Sequence, residues 1–193
     1  MTDFTKAGYQ VTRNFVPNYD YYFTKCMKSK NNKKQWADKK GDNQARGTPN
    51  FYKLPILVKL HKILLPKMQD LTGLQLFTTY TYMRIYQKGN TLYQHTDRPA
   101  CEVSCTVNLG TISDSIWPIH LADYEDNEIK VLLKPGDALL YRGCDLLHWR
   151  YKFKGQQQIQ AFFHYVDQNG PNAWCKDDAN RQQTSTDPAI TAR

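Results

Sequence analysis

The residues best suited to chemistry lie in the run Tyr93-Gln94-His95-Thr96-Asp97. Side chains on a β-strand alternate faces, so a histidine and an aspartate two positions apart project the same way. With a second imidazole they make a 2-His-1-carboxylate set, which leaves three positions of an octahedral ion open to small molecules. Of the five histidines, His148 is the best third ligand. It follows the turn Lys134-Pro135-Gly136-Asp137 and the apolar strand Ala138-Leu139-Leu140-Tyr141. His61 reads as a helix-surface histidine. His120, in IWPIHLA, and His164, in AFFHYVD, read as hydrogen-bonded core histidines. The donor set points to ferrous iron, although it also accepts Mn, Co or Zn.

Such a site needs strands to hold it. From residue 76 onward the segments LFTTYTYMRIY, CEVSCTVNLG, SIWPIHLA, EIKVLL, DALLYRG, LLHWRYKF and QIQAFFHYVD are each bounded by Gly, Pro, Asn or Asp. Short strands with short connections predict a sandwich, jelly roll or barrel rather than a parallel α/β sheet. Before them, residues 54–71 read as a helix, with Leu57, Leu60, Leu64, Met68 and Leu71 at helical spacing. Pro66 predicts a kink or two short helices, and Gly73 a stop. Residues 1–24 carry aromatics without a clear period. Residues 25–50 are polar and basic and read as a loop or insertion. Residues 169–193 read as a polar, partly disordered tail. The expected organisation is one domain over residues 1–168, with a catalytic barrel over about 76–168.

A chain of 193 residues, 40% hydrophobic and 13% aromatic, is long and apolar enough for one folded domain. No segment approaches the roughly 20 apolar residues of a membrane span, and the N-terminus lacks the apolar core of a signal peptide. A soluble protein of the cytoplasm, or of the host-cell cytoplasm if viral, with no membrane partner, is expected. Cys26, Cys101, Cys105, Cys144 and Cys175 are odd in number and form no CxxC pair, so reduced structural thiols are expected. The net charge of +8 suits an anionic partner. Residues 25–40 hold seven lysines, one aspartate and no arginine, whereas specific nucleic-acid modules mix arginine and aromatics with their lysines, and the run reads as a solvated loop.

Arg84-x-Tyr86-x-x-Gly89, His95-x-Asp97, Pro135-Gly136-Asp137, His148-Trp149-Arg150 and Phe163-His164-Tyr165-Val166-Asp167 together resemble the 2-oxoglutarate/Fe(II) oxygenase superfamily, in its prolyl-4-hydroxylase-like branch. Arg98-Pro99-Ala100-Cys101-Glu102-Val103-Ser104 is similar to a run that follows the HxD in members from marine bacteria and their phages. The resemblance implies a mainly β (α+β) double-stranded β-helix, or jelly roll, with N-terminal helices packed on one sheet. It implies Fe(II) held by His95, Asp97 and His148, and a dioxygenase that uses 2-oxoglutarate and O2 and releases succinate and CO2. Tyr86 and Asn108 match positions that contact 2-oxoglutarate. The position of the cationic anchor for its distal carboxylate falls on Gln158, which carries no charge. Arg150, which shares the inward face with His148, and then Arg84, which shares a face with Tyr86, are the expected substitutes. Tyr93, Arg98 and Trp149 are expected around the substrate. A peptidyl proline is the first substrate class expected, a nucleic-acid base the second and a small anionic metabolite the third. Gln158 motivates one alternative, a non-catalytic metal-binding or nucleic-acid-binding jelly roll.

Overall fold

The computed structural model describes residues 3–30 and 40–179. Asp3 accepts a hydrogen bond from Thr5 N and caps helix α1 (Phe4–Ala7). Gly8, at φ 74°, passes through the left-handed region and turns the chain into strand β1 (Tyr9–Thr12). Helix α2 (Tyr19–Lys30) takes in the aromatics that showed no period and the start of the basic run. Residues 31–39 of that run, expected as a solvated loop, lie outside the described residues. Strand β2 (Asn50–Tyr52) precedes helix α3 (Pro55–Thr72). The expected division of this helix at Pro66 does not occur. Pro66 is exposed, so water can satisfy the backbone carbonyl that its missing N–H leaves without a donor.

The remaining strands are β3 (Leu76–Gln87), β4 (Leu92–His95), β5 (Val103–Ile112), β6 (Ile119–Ala122), β7 (Glu128–Val131), β8 (Ala138–Arg142), β9 (His148–Arg150) and β10 (Gln157–Asp167). One antiparallel sheet has the order β1-β8-β5-β10-β3-β2, and a second has the order β4-β9-β6-β7. The chain crosses between the sheets as it runs from β3 to β10. This is the jelly roll expected, built as two facing sheets that do not close into one barrel. Strands β1 and β2 extend the first sheet at its two edges. Neither stood out in the sequence, because three or four residues are too few to show a period.

The first sheet sorts its side chains by face. Met83 and Ile85 on β3, Val103, Cys105, Val107 and Leu109 on β5, and Ile159, Ala161, Phe163 and Tyr165 on β10 join Leu57, Leu60, Leu64 and Met68 of α3 in one buried cluster. The alternate residues face the other sheet. They are Arg84 and Tyr86 on β3, Ser104, Thr106 and Asn108 on β5, and Gln158, Gln160 and His164 on β10, and all are buried. Strands that are apolar on one face and polar but buried on the other enclose a lined interior, because buried polar groups must find partners or a ligand.

α3 buries a wider stripe than expected. His61 is only 4% exposed and meets the Tyr165 ring edge-on, 4.5 Å between centroids, so it is a core residue and not a helix-surface histidine. Leu57, Leu60, His61, Leu64 and Met68 share one face of a 3.6-residue helix, and that face is wide enough to include position 61.

The segment from residue 169 enters the fold as well. A 3-10 turn over Ala173–Asp178 buries Cys175 and Asp178. Asp178 pairs with Arg98 at 2.8 Å and accepts from Tyr52 Oη at 2.7 Å. Residues 180–193 of the expected tail lie outside the described residues.

Candidate metal centre

His95 ends β4 and His148 opens β9, and the two are paired across the second sheet. Each ring is fixed through Nδ1 to a carbonyl two residues earlier, His95 to Tyr93 O at 2.7 Å and His148 to Leu146 O at 2.9 Å. With Nδ1–H donating, each Nε2 carries a lone pair. Both Nε2 atoms lie 3.6 Å from Asp97 Oδ1. Two donor atoms that close can both reach one ion at about 2.1 Å per bond. The ring centroids are 4.2 Å apart, and the three side chains form a metal-competent set.

Asp97 reaches this set differently from what the strand pattern predicts. β4 stops at His95, and Asp97 lies beyond it in irregular chain. Its place is set by tertiary contacts. Asp97 N donates to Gly143 O at 2.8 Å, and Ser104 Oγ donates to Asp97 Oδ2 at 3.1 Å. Burial alone would raise the Asp97 carboxyl, but the adjacent His148 and His95 hold it well below the usual carboxylate range. Burial, with the neighbouring His95, depresses His148 to about 4. A neutral His148 imidazole beside an ionised carboxylate is the protonation pattern a divalent metal needs.

The expected 2-oxoglutarate residues separate by whether their polar groups are already satisfied. Asn108 donates to Leu133 O at 2.9 Å, and its Oδ1, 3.2 Å from Thr111 Oγ1, shares that one hydroxyl proton with Gln158 Oε1. Gln158 accepts from Thr111 and donates to Gln160 Oε1 at 2.8 Å, and Gln160 donates to Thr106 Oγ1. Arg84 is held by Asp42, with Nη1–Oδ1 2.9 Å and Nη2–Oδ2 2.8 Å, and it also donates to Gln44 Oε1 at 3.0 Å. A guanidinium so paired does not serve a second anion.

Two groups remain. Arg150 Nη1 donates to Trp117 O at 2.8 Å, whereas Arg150 Nη2 and Tyr86 Oη are buried with no partner among the described residues. The guanidinium stacks 4.7 Å over the Trp117 ring, which meets Tyr86 edge-on at 4.9 Å. Burial lowers Arg150 to about 10, against the opposing pull of Tyr86 and Tyr141, so it stays charged at neutral pH. A buried cation and a phenol, both with unspent donors, suit a carboxylate.

The residues expected around a substrate lie in different places. Trp149 falls between His148 and Arg150 and alternates to the outer face of the second sheet. There it stacks on His120, with centroids 5.8 Å apart. With Tyr93 it lines a groove of about 640 Å3. Arg98 lies 4.6 Å over the Tyr80 ring and is committed to Asp178. His120 Nδ1 lies 2.6 Å from Glu128 Oε1. His164 faces the interior and contacts Ser104 Oγ through Nδ1 at 2.9 Å. Sequence reasoning gave Ser104, Cys101 and Gly143, which surround Asp97, no part in the site. The signal in the sequence was the polar alternation along β5.

No helix among the described residues is long and apolar enough to cross a membrane. Neither a family model nor a curated relative matches the sequence. Solved structures do share its fold. A prolyl-4-hydroxylase from Pseudomonas putida aligns with TM-score 0.67 and 13% identity over 86% of this chain and 95% of its own. HygX from Streptomyces hygroscopicus, solved with nickel and 2-oxoglutarate bound, aligns with TM-score 0.66 and 14% identity over 86% and 85%. A prolyl hydroxylase from Trichoplax adhaerens, in complex with a hypoxia inducible factor oxygen degradation domain peptide fragment, aligns with TM-score 0.70 and 14% identity over 86% of each chain.

Proposed function

We propose that this protein is an Fe(II)- and 2-oxoglutarate-dependent oxygenase. The observation that carries the reading is one interior holding both parts of such a site. One part is a convergent His95, Asp97 and His148 set. The other is a buried Arg150 and Tyr86 whose donors have no protein partner among the described residues. When bound, iron and 2-oxoglutarate together insert one oxygen atom of O2 into a C–H bond of the substrate and release succinate and CO2.

In this reading His95 Nε2, His148 Nε2 and Asp97 Oδ1 hold the metal and leave three positions open. Arg150 Nη2 and Tyr86 Oη donate to the distal carboxylate of 2-oxoglutarate. The aromatic wall of Tyr86, Trp117 and Phe153, together with Leu92, keeps water from that contact. Gln158 does not act as the anchor, because Thr111 and Gln160 already engage its amide. The primary substrate class is a peptidyl side chain, supported by the fold shared with prolyl hydroxylases, one of them in complex with a peptide.

The test is succinate release from 2-oxoglutarate under air, with ferrous iron added to metal-free protein, followed by mass analysis of a peptide library for the gain of one oxygen. Succinate without an oxygenated peptide overturns the substrate class and leaves the oxygenase reading standing. No binding of 2-oxoglutarate to the metal-loaded protein overturns the oxygenase reading in favour of a non-catalytic metal-binding jelly roll.

A further inference from the structure

His95 and His148 are held by paired strands and by their own Nδ1 contacts. Asp97 lacks both supports, and it has two carboxylate oxygens to tell apart. Oδ1 faces the two imidazoles. Oδ2 faces Ser104 Oγ at 3.1 Å.

Ser104 has one hydroxyl proton and several polar neighbours. These include Asp97 Oδ2, Cys101 O at 3.0 Å and His164 Nδ1 at 2.9 Å, with the Tyr141 phenol also in hydrogen-bond contact. The carboxylate and the carbonyl can only accept, so a donor to Oγ comes from His164 or the Tyr141 phenol. The arrangement with most bonds made has Nδ1–H donating to Oγ. The hydroxyl then donates onward, and the charged carboxylate outcompetes the neutral carbonyl. The His164 ring is held in place between neighbours. Its centroid lies 4.5 Å from that of Tyr80, and it stacks on Phe162 with an interplanar angle of 4°. Gly143 makes room for the network. A Cβ there would meet Asp97 Oδ2 at 2.5 Å, and would meet Cys101 O closer still.

Resting on the metal centre proposed above, we infer that Ser104 and His164 are positioning residues that keep Asp97 a single-oxygen ligand. The relay runs from β10 through β5 to Oδ2 and turns that oxygen away from the ion. A carboxylate ligating through both oxygens would take a fourth coordination position, and two open positions cannot hold both a chelating 2-oxo acid and O2. The relay therefore decides how many small molecules the metal can accept.

The experiment titrates metal-free protein with Mn2+ by calorimetry and records the visible spectrum of the Co2+-loaded protein. The parent should bind one equivalent, lost in His148→Ala. Ser104→Ala and His164→Leu should weaken Mn2+ binding by roughly 10- to 100-fold, the usual cost of removing an outer-shell partner, and should shift the Co2+ bands. His164→Asn, which restores an N–H near the place of Nδ1, should bind Mn2+ within about threefold of the parent on the same scale. Melting of the metal-free proteins separates loss of fold from loss of affinity, and Ser104→Ala removes only one oxygen if His164→Leu does not fold. Parent affinity and parent Co2+ bands in folded Ser104→Ala overturn the relay while leaving the metal centre intact. So does a second equivalent of Co2+ lost in Cys101→Ala, since Asp97, Cys101 and His164 donor atoms lie within 4.8 Å of one another and His164 would then be a ligand. A parent that takes up no Mn2+ overturns both the metal centre and the relay.

Discussion

Arg84 and Arg150 are both buried beside Tyr86, and their partners give them different work. Arg84 is bound bidentately by Asp42 and ties the 42–44 segment to β3. Arg150 keeps one terminal nitrogen without a partner among the described residues. Arg150→Met should therefore raise the apparent constant for 2-oxoglutarate by one to two orders of magnitude, at about 1.4 kcal/mol per factor of ten. Mn2+ affinity should not change. Arg84→Met should lower the melting temperature and leave 2-oxoglutarate affinity within about threefold, because Asp42 loses its buried partner. Anaerobic calorimetry with 2-oxoglutarate on the Mn2+-loaded proteins checks both, and the opposite pattern would make Arg84 the anchor. Gly143→Ala, whose added carbon has no room beside Asp97 Oδ2, should weaken Mn2+ binding with the fold retained by circular dichroism.

At the scale of elements, α3 and β10 together bury His61. Burial first, and the nearby His164 second, lower its pKa from 6.5 to about 3. A folded-state pKa below the unfolded value means that the unfolded chain takes up a proton first as pH falls. The resulting stability is present above about pH 6.5 and is lost as pH falls toward about 3, by up to about 1.4 kcal/mol per pH unit. His61→Leu removes this term. Its melting temperature should decline less steeply between pH 7 and pH 5 than that of the parent, on the same sign argument. Parallel declines would place the acid sensitivity elsewhere, with His148 and His164 the next groups to examine, since burial depresses both to about 4.

For the whole molecule, the turn at Ala173–Asp178 is a clasp. It closes over Tyr52 and Arg98, which belong to segments far apart in sequence. Asp178 is 7% exposed, and losing a partner from a pair this buried costs about 3 kcal/mol. Truncation after Gln168 should therefore lower the melting temperature by roughly 6–12 °C for a domain of this size. Truncation after Ala179 should leave it within about 2 °C, because what is removed is polar and aperiodic in sequence. Asp178→Asn, measured by the same melting curve, should reproduce most of the first effect. If the longer truncation melts like the parent, the clasp contributes nothing to stability.

The candidate metal set could be proposed before the fold because it depends on residue type and order. Only five histidines were available, and turn-strand-histidine after the HxD marked His148. The jelly roll was legible because strands that bury an apolar face on helices carry that periodicity locally. The inward position of Arg150 followed from the same alternation that set it two residues beyond His148. The preference for Arg150 over Arg84 rested in the sequence on that alternation alone, and the contrast in their partners was not legible, since it turns on Asp42, a residue in an irregular segment that no periodicity connects to β3. Asp97 was grouped with the two histidines by a strand alternation that the fold does not keep. It is not on the strand at all, and its orientation comes from Gly143, Ser104 and His164, which lie 46, 7 and 67 residues away along the chain. The clasp at Asp178 was hidden for the same reason. Periodicity reports which face of an element meets the core, whereas ion pairs between irregular segments exist only once the chain has closed on itself.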